Sequence, residues 1–367
     1  MNKTYYAIGL MSGSSLDGLD IAYCQLYWEN NQLSGWKLLL SETMHYSELW
    51  VRRLKALPQQ NALTFAQTDI YFSYYLGELL NSFIKKNQLG QIDFVASHGH
   101  TVFHDPSRRY SIQIGNGNAL AATVGKTVVC DFRMQDVALN GEGAPLAPLA
   151  DLYLFPGYDY YMNIGGIANI SANVSGKWLG FDLAPANQVF NFLAEKADLK
   201  FDKDGEIARG GAINPELLNA LLKLDFFEKV YPKSMSNEWI RTEVLPMFTK
   251  SGLSLEDQMR TAVELTVSTS YDAIRLIQSQ ENKQPVSSEM LLSGGGCHNL
   301  FLVEKLNEKL AELNIEVQIP KKEIIDFKEA MLIALLGLLR LEEVPNSLPE
   351  VTGAKRATVN GGVYFSK

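Results

Sequence analysis

Apolar runs near the start of the chain are separated by a short polar stretch. Residues 5–10 are aromatic and aliphatic, a segment rich in serine and glycine follows, and a second apolar run covers residues 19–26. Two strand-like runs about ten residues apart are typical of a β-hairpin. The pattern therefore predicts strand, loop and strand here, rather than strand, loop and helix.

Several later apolar runs end in glycine or in polar residues. The strand-like runs cover residues 94–96, 127–130 and 160–164, and residues 167–174 follow as the expected partner of the third. Ligands bind beyond strand ends in open α/β sheets. The polar residues after these runs, at 97–100, 131–133 and 165–166, are therefore candidates for a site.

Helical periodicity dominates the second half. One apolar stripe starts at Leu255 after a cap at Ser254 with a carboxylate at Asp257, and a second runs from Val303 to Leu313. The longest apolar run, residues 330–339, is shorter than the roughly 20 residues of a bilayer span and predicts a buried helix. A short strand over 290–292 leads into a glycine run. Strands alternating with helices predict a mixed α/β protein.

Composition narrows the function classes. The 367 residues suffice for roughly two domains, and a net charge of −8 disfavours non-specific binding to nucleic acid. Three scattered cysteines form neither a disulfide framework nor a zinc-binding set, and no export signal precedes the first strand. We expect a cytoplasmic protein with neither a nucleic-acid nor a membrane partner.

The first loop is a candidate anion site. Small residues let backbone N–H groups converge on an anion, and aspartates can hold magnesium. The loop and the strand start after it provide Gly13, Ser14, Ser15, Leu16, Asp17, Gly18, Leu19 and Asp20. A hairpin turn with polar side chains explains the same residues equally well. The chain has no P-loop motif, which disfavours a P-loop NTPase.

Three other features each have a functional and a structural interpretation. The run 293–296 after a strand predicts a phosphate or nucleoside platform, or a helix-entry turn. Asp182 fits a general base or a helix cap. Arg133 fits an anion clamp, or an internal pair with Asp131 or Asp136.

The histidines do not indicate zinc. His98 and His100 alternate faces on an extended segment, and no further ligands complete a tetrahedral set with His104. We expect these side chains to contact a sugar or to be satisfied in the core. His298 is expected to cap or pack against the helix after the glycine run.

Taken together, the motifs resemble the anhydro-N-acetylmuramic acid kinase family, within the superfamily of actin-like proteins, sugar kinases and heat-shock ATPases. The resemblance runs nearly end to end. It rests on residues 9–18, 97–99, 101–102, 104, 113–115, 131–133, 143–146, 163–170, 232–234, 294–299 and 351–354.

The resemblance implies an α/β fold with two RNase H-like, actin-like ATPase lobes and a central cleft for nucleotide and sugar. It places residues 1–127 with 352–367 in one lobe and residues 128–351 in the other. ATP and Mg²⁺ are the implied cofactors. The implied nucleotide contacts are residues 13–20, Gly165, Gly166, Gly294, Gly295, Gly296 and Asn299, with Asp17 and Asp20 at the metal.

The implied reaction opens the 1,6-anhydro ring of the sugar with water and phosphorylates the freed 6-hydroxyl, in cell-wall recycling. Asp182 is the implied general base, and Thr101, Arg133 and Glu329 are expected near the sugar. Opening the acetal requires a base for the water, and the departing oxygen's charge is relieved when that oxygen accepts the phosphoryl group.

Some positions depart from the family pattern. The usual Thr-Gly after the base becomes Leu183-Ala184, an aspartate becomes Asn191, and His100 replaces a glutamine. Two alternatives therefore stay open: a kinase of another anhydro or amino sugar, and a catalytically weak nucleotide-gated binding protein. The sequence also leaves a homodimer open.

Overall fold

Two β-sheets organise the chain. The computed structural model describes residues 2–13, 15–174, 177–231, 233–280 and 287–366. The strands of this part of the chain are β1 (Lys3–Ser12), β2 (Gly18–Glu29), β3 (Gln32–His45), β4 (Phe94–Asp105), β5 (Tyr110–Ile114), β6 (Val128–Cys130), β7 (Tyr160–Ile164), β8 (Ile167–Val174), β9 (Lys177–Pro185), β10 (Ser288–Ser293), β11 (Ile315–Gln318) and β12 (Gly362–Tyr364).

Helices connect and cover the sheets. They are α1 (Glu48–Ala56), α2 (Ala62–Lys86), α3 (Gly117–Val124), α4 (Met134–Ala138), α5 (Ala147–Leu154), α6 (Asn187–Ala194), α7 (Glu206–Arg209), α8 (Pro215–Leu222), α9 (Asp225–Glu228), α10 (Asn237–Trp239), α11 (Leu245–Lys250), α12 (Leu255–Gln280), α13 (Leu300–Ala311), α14 (Lys322–Leu341) and α15 (Pro349–Thr352). Shorter 3₁₀ segments include Lys203–Gly205 and Gly295–His298, and Ile240–Val244 is π-helical.

The chain divides into two units, Met1–Pro156 with Phe327–Lys367, and Gly157–Asp326. The lobe boundaries expected from the resemblance lie instead at 127/128 and 351/352. Strand β6, which starts at Val128, pairs with β4 and β12, so it is part of the first unit's sheet. The second boundary differs because the stretch after Phe327 packs on that same sheet.

The first unit contains a seven-stranded sheet in the order β12-β6-β4-β1-β2-β3, with β5 paired to β4. Strands β1 and β2 are antiparallel, with Ser12 opposite Leu19, which confirms the predicted hairpin. The core of this unit includes Ile8, Leu10, Ile21, Phe72 and Leu76.

Helix α14 confirms the buried helix predicted for residues 330–339. Its close approach to β1 depends on Gly9, because a Cβ there would lie 1.8 Å from the Ala330 carbonyl oxygen. Gly337 similarly approaches Phe94 and Ala96 on β4. In the described part of the chain, no helix combines the length and apolar character that a bilayer span requires.

The second unit is built on a five-stranded sheet in the order β11-β10-β7-β8-β9. β7 pairs with β8, as predicted, in an antiparallel arrangement, and β10 is parallel to β7 with Met290 opposite Tyr160. Helix α12 starts at its predicted cap, where Ser254 Oγ accepts the Asp257 N–H over 3.1 Å. The mixed α/β prediction is thereby confirmed in both units.

Candidate active site

The β1–β2 turn contains the first predicted nucleotide loop. Of its residues, Ser14 lies outside the described part of the chain. The Leu16 N–H donates to the Gly13 carbonyl over 3.4 Å, and Ser15 Oγ donates to the Asp17 carboxylate over 2.5 Å. The described groups of the loop therefore bond to each other as a turn does, and a nucleotide contact here stays a prediction.

Three predicted residues of this loop also have structural roles. The side chains of Leu16 and Leu19 are buried in the first unit's core, which leaves only their backbone groups for an anion. A Cβ on Gly18 would lie 2.6 Å from the Met44 carbonyl oxygen on β3, so the sheet itself requires glycine there.

The donor chemistry at Asp17 and Asp20 fits magnesium. Asp17 is exposed, and Asp20 is half-buried and accepts from Thr43 Oγ1 over 2.5 Å. Across the described residues, no three His, Cys, Asp or Glu side chains gather as a metal site. Magnesium commonly uses one or two carboxylates and takes its other oxygens from phosphates and water, so two aspartates are sufficient.

Strand β4 extends past its predicted end, through the histidines to Asp105. His98 and His100 are buried, with 4% and 8% exposure, and each has a hydrogen-bond partner within the unit. The Arg133 Nε–H donates to His98 Nε2 over 2.9 Å, and His100 Nδ1 lies 3.3 Å from Ser12 Oγ. The hydrogen bonds of these two histidines are thus satisfied in the core, which was one of the two expectations from the sequence; the other was contact with a sugar.

Arg133 is half-buried and does not pair with Asp131 or Asp136 in the manner considered from the sequence. Besides His98, it donates from Nη1 to the Gly143 carbonyl over 2.8 Å. Asp136 instead accepts the Gly143 N–H and the Thr352 hydroxyl over 2.8 and 2.9 Å. The guanidinium is therefore oriented by neutral groups, and burial lowers the pKa of Arg133 while the charge of Glu329 opposes that shift.

Two further predicted sugar contacts belong to the same unit. Glu329 is open to solvent but surrounded by enough protein that burial raises the pKa of its carboxyl, with Arg133 and then Lys328 opposing that shift. Thr101 Oγ1 accepts from Gln113 Nε2 over 3.3 Å across the β4–β5 pair. Electrostatic coupling links Glu329 to Arg133, while the role of Thr101 stays a prediction.

Asp182 lies within β9, in the second unit, and does not cap a helix. Its N–H donates to the Lys233 carbonyl over 3.1 Å, which ties the strand to the segment before α10. Its Oδ2 accepts the Met235 N–H over 2.8 Å and the Ser234 hydroxyl over 3.1 Å. Burial raises the pKa of this carboxyl, and the two donors oppose that shift. A held carboxylate with a raised pKa has the properties of a general base.

The β7–β8 turn contains Gly165 and Gly166, whose carbonyls bind the start of α6. Gly166 accepts the Ala186 and Gln188 N–H groups over 2.9 and 3.2 Å, and Gly165 accepts the Asn187 N–H over 3.1 Å. These N–H groups at the start of α6 therefore already donate hydrogen bonds within the second unit. Contact of the two glycines with a nucleotide stays a prediction.

The glycine run after β10 is required by close packing against β7. Gly294 has φ +87°, and a Cβ there would lie 2.7 Å from the Ile164 carbonyl oxygen. A Cβ on Gly296 would lie 2.2 Å from Ile164 Cγ2. At Gly295 the nearest atom to such a Cβ, the side-chain nitrogen of Asn187, is 3.7 Å away, so a methyl group there would make only an ordinary van der Waals contact.

The two residues after the glycine run both form hydrogen bonds within the second unit. Asn299, predicted to bind the nucleotide, caps α13 by accepting the Leu302 N–H over 2.9 Å. His298 was expected to cap or pack against that helix. It instead pairs through Nε2 with Asp326 Oδ1 over 2.7 Å, because Asn299 already occupies the cap position.

A cavity of about 590 Å³ lies in the second unit beside this run. It is lined by polar and apolar side chains, and its size is within the roughly 300–1,000 Å³ of small-molecule sites. Its lining includes Phe190, Asn191, Asp204, Gly295, His298 and Asn299. Gly295 and Asn299, two of the predicted nucleotide contacts, are thereby brought to one cavity.

The departures from the family pattern lie in two different surroundings. Leu183 and Ala184 are 2% and 0% exposed and belong to the core of the second unit. Their side chains therefore fill the core instead of replacing polar groups at a site. Asn191, by contrast, lines the 590 Å³ cavity.

Asp69, which shapes the loop after β5, is a residue that sequence reasoning missed. This helical residue accepts the Gly115 and Asn116 N–H groups over 2.7 and 3.1 Å. It also lines a second cavity of about 160 Å³ in the first unit, together with His98 and Asp131. Because Asp69 lies in the middle of a regular helix, no local pattern separates it from a solvent-facing carboxylate.

Comparison with known proteins places the chain in a family. The anhydro-N-acetylmuramic acid kinase profile matches residues 5–366. An anhydro-N-acetylmuramic acid kinase of Sulfurovum sp. (strain NBC37-1) is 34% identical, over 99% of this chain and 100% of that protein. One of Haemophilus influenzae is 32% identical, over 99% and 98%.

Among solved structures, component A of the (R)-2-hydroxyglutaryl-CoA dehydratase of Acidaminococcus fermentans aligns with a TM-score of 0.43 at 12% identity. The alignment covers 90% of this chain and 96% of that chain. Family membership rests on the profile match and the full-length relatives. The chain belongs to the anhydro-N-acetylmuramic acid kinase family.

Proposed function

We propose that this protein is an ATP-dependent kinase that opens 1,6-anhydro-N-acetylmuramic acid with water and phosphorylates its 6-hydroxyl. The product is N-acetylmuramic acid 6-phosphate, an intermediate in cell-wall recycling. Full-length family membership supports the activity, and the held carboxylate of Asp182 is the observation on which the mechanism depends. Because the reaction consumes ATP, we propose the cytoplasm as its compartment.

Asp182 acts on the water in this proposal. Both of its protein donors bind Oδ2, which leaves Oδ1 to accept a proton from a water molecule. That water forms a bond to the anomeric carbon as the bond from this carbon to O6 breaks. The raised pKa of Asp182 makes it a stronger base than an exposed aspartate once it is ionised.

The freed O6 then bonds to the γ-phosphorus of ATP as the bond from that phosphorus to ADP breaks. The negative charge that develops on O6 is thereby removed, because O6 becomes part of a phosphate ester. Magnesium bound with ATP supplies neutralisation of the phosphate charges. The turn around Gly13, with Asp17 and Asp20, is the proposed holder of that ion and of the phosphates. Gly165 and Gly166 are proposed as further nucleotide contacts.

The 590 Å³ cavity is the proposed site of the nucleoside. Gly295 leaves backbone exposed to it, and Phe190 and Asn191 offer an apolar and a polar surface. Thr101, Arg133 and Glu329 are the proposed contacts for the sugar. Of these, Arg133 has N–H groups left on its guanidinium after its bonds to His98 and Gly143.

Two of the departures from the family pattern do not favour another sugar. Leu183 and Ala184 are in the core, so these two departures do not remove polar groups from the site. Two donors hold the Asp182 carboxylate, which also supports an active kinase over a weak binding protein.

The test is incubation of the protein with ATP, magnesium and the anhydro sugar, followed by mass spectrometry. We expect one 6-phosphorylated sugar and one ADP per turnover, and no sugar product when ATP is omitted. ATP binding without any phosphorylated sugar would refute the proposal. Faster ADP release with a different anhydro or amino sugar in a matched panel would point to that sugar instead.

A further inference from the structure

Two neutral groups hold the Arg133 guanidinium. Its Nε–H donates to His98 Nε2 over 2.9 Å and its Nη1 donates to the Gly143 carbonyl over 2.8 Å. A guanidinium has five N–H donors in one plane, so two fixed bonds set the direction of the remaining three. The orientation of this plane therefore depends on where His98 is held.

His98 is itself fixed in one form. Its Nδ1 lies 3.0 Å from the Gly99 carbonyl, which only accepts, while the Arg133 Nε–H only donates. The ring must therefore be neutral, with its hydrogen on Nδ1 and a lone pair on Nε2. Burial, and after it the charge of Arg133, lower the pKa of His98 to about 3 although the bond to the Gly99 carbonyl opposes the shift, so the neutral form persists at neutral pH.

The backbone next to His98 packs closely against the neighbouring strand. Gly99 has φ +69°, and a Cβ there would lie 2.3 Å from the Ile114 carbonyl oxygen of the paired strand β5. Glycine at 99 thus lets the two strands approach at the point where the carbonyl binds the ring. The hydrogen bond from Arg133 to His98 therefore connects the arginine to a strand residue that lies 35 positions earlier in the sequence.

We infer that His98 is the positioning residue for Arg133. It aims the guanidinium at the sugar without reducing its charge. A carboxylate in its place would neutralise the arginine, and a lysine would repel it and offer no acceptor. The inference rests on the proposed function in one respect, namely that Arg133 contacts the substrate.

The test compares His98→Leu, which removes the acceptor at similar volume, with His98→Gln, whose side-chain oxygen can accept the Arg133 Nε–H. We expect His98→Leu to lower kcat/KM for the sugar about 10- to 100-fold while KM for ATP stays within about twofold. His98→Gln should recover most of that loss. Equal losses in the two variants, or wild-type kcat/KM in His98→Leu, would overturn the inference.

A double-mutant cycle with Arg133→Lys separates positioning from a general structural role. The lysine has no planar guanidinium to aim, so adding His98→Leu to it should lower kcat/KM less than about threefold further. Additive losses would show that His98 acts independently of Arg133 and would overturn the inference.

An independent readout does not use turnover. In ¹⁵N NMR of the whole protein, the Arg133 Nε–H should exchange slowly in the wild type and in His98→Gln, and rapidly in His98→Leu. Slow exchange in all three proteins would overturn the inference. A wild type that phosphorylates no sugar, with this exchange pattern intact, would refute the proposed function and retain the His98–Arg133 coupling.

Discussion

The two glycine-rich loops look alike in sequence and differ in structure. In the β1–β2 turn of the first unit, a Cβ on Gly13 would meet nothing closer than Ser15 Oγ at 3.5 Å. In the run after β10 of the second unit, a Cβ on Gly294 or Gly296 would overlap β7. One loop has room for a side chain, and the other is locked by packing.

Small residues in a loop can therefore have two separate physical causes. Close approach of two backbones explains Gly294 and Gly296 without any ligand. Only Gly295, which faces the 590 Å³ cavity, is left for a purpose beyond packing in that run. In the first unit the fixed part of the proposed site is the hydrogen-bonded pair of buried His98 and half-buried Arg133, not the loop.

The pair of His98 and Arg133 should have the largest effect on the free energy of unfolding. The pKa of His98 is about 3 in the fold and 6.5 in an exposed histidine, so the unfolded chain binds a proton first as the pH falls. The contribution of His98 is complete above pH 6.5 and is lost as the pH drops toward 3. The expected loss is about 1.4 kcal/mol per pH unit, or roughly 2–3 kcal/mol at pH 4.5.

Urea unfolding of the wild type and His98→Gln at pH 7.5, 5.5 and 4.5 measures this effect, because the carboxyl groups and the other histidines titrate in both proteins. As the pH falls, the wild type should lose more unfolding free energy than His98→Gln does. A constant difference across this range would show that His98 is not held neutral.

The locked loop should respond strongly to a single methyl group. Gly296→Ala places a Cβ against the fully buried Ile164, and such overpacking destabilises proteins by about 1–3 kcal/mol. We expect roughly 2 kcal/mol, measured by urea unfolding. Gly295→Ala is the matched control, with an expected change below about 1 kcal/mol. Equal losses at the two positions would contradict the packing explanation.

The open loop should respond in the opposite way. Gly13→Ala adds a methyl group where space is available, so unfolding free energy should change by less than about 0.5 kcal/mol. If this backbone cradles the phosphates, KM for ATP should rise roughly threefold or more. An unchanged KM would remove the loop from the proposed nucleotide site.

Much of the fold follows from hydrophobic pattern. The hairpin, the partner strands β7 and β8, the helix from Leu255 and the buried helix over 330–339 were all predictable because their apolar periods are regular. Strand β4 was predicted too short, because the sequence cannot show that Arg133 and Ser12 satisfy His98 and His100.

The candidate site was predictable only in part. Resemblance to the family singles out Asp182, but its two donors come from residues 234 and 235, over 50 positions away. The contacts of Asp69 and of His98 are likewise long-range. Pairings of this kind depend on the register of strands and on helix packing, which local sequence does not specify.

The central claim is that Asp182 is the base that activates water. The most direct measurement is ADP and sugar-phosphate formation by Asp182→Asn, with ATP affinity measured in parallel and Asp225→Asn, an exposed carboxylate of the same unit, as control. We predict that kcat falls about 100-fold or more in Asp182→Asn while ATP affinity and the control stay near wild type. Wild-type turnover by Asp182→Asn would contradict the account.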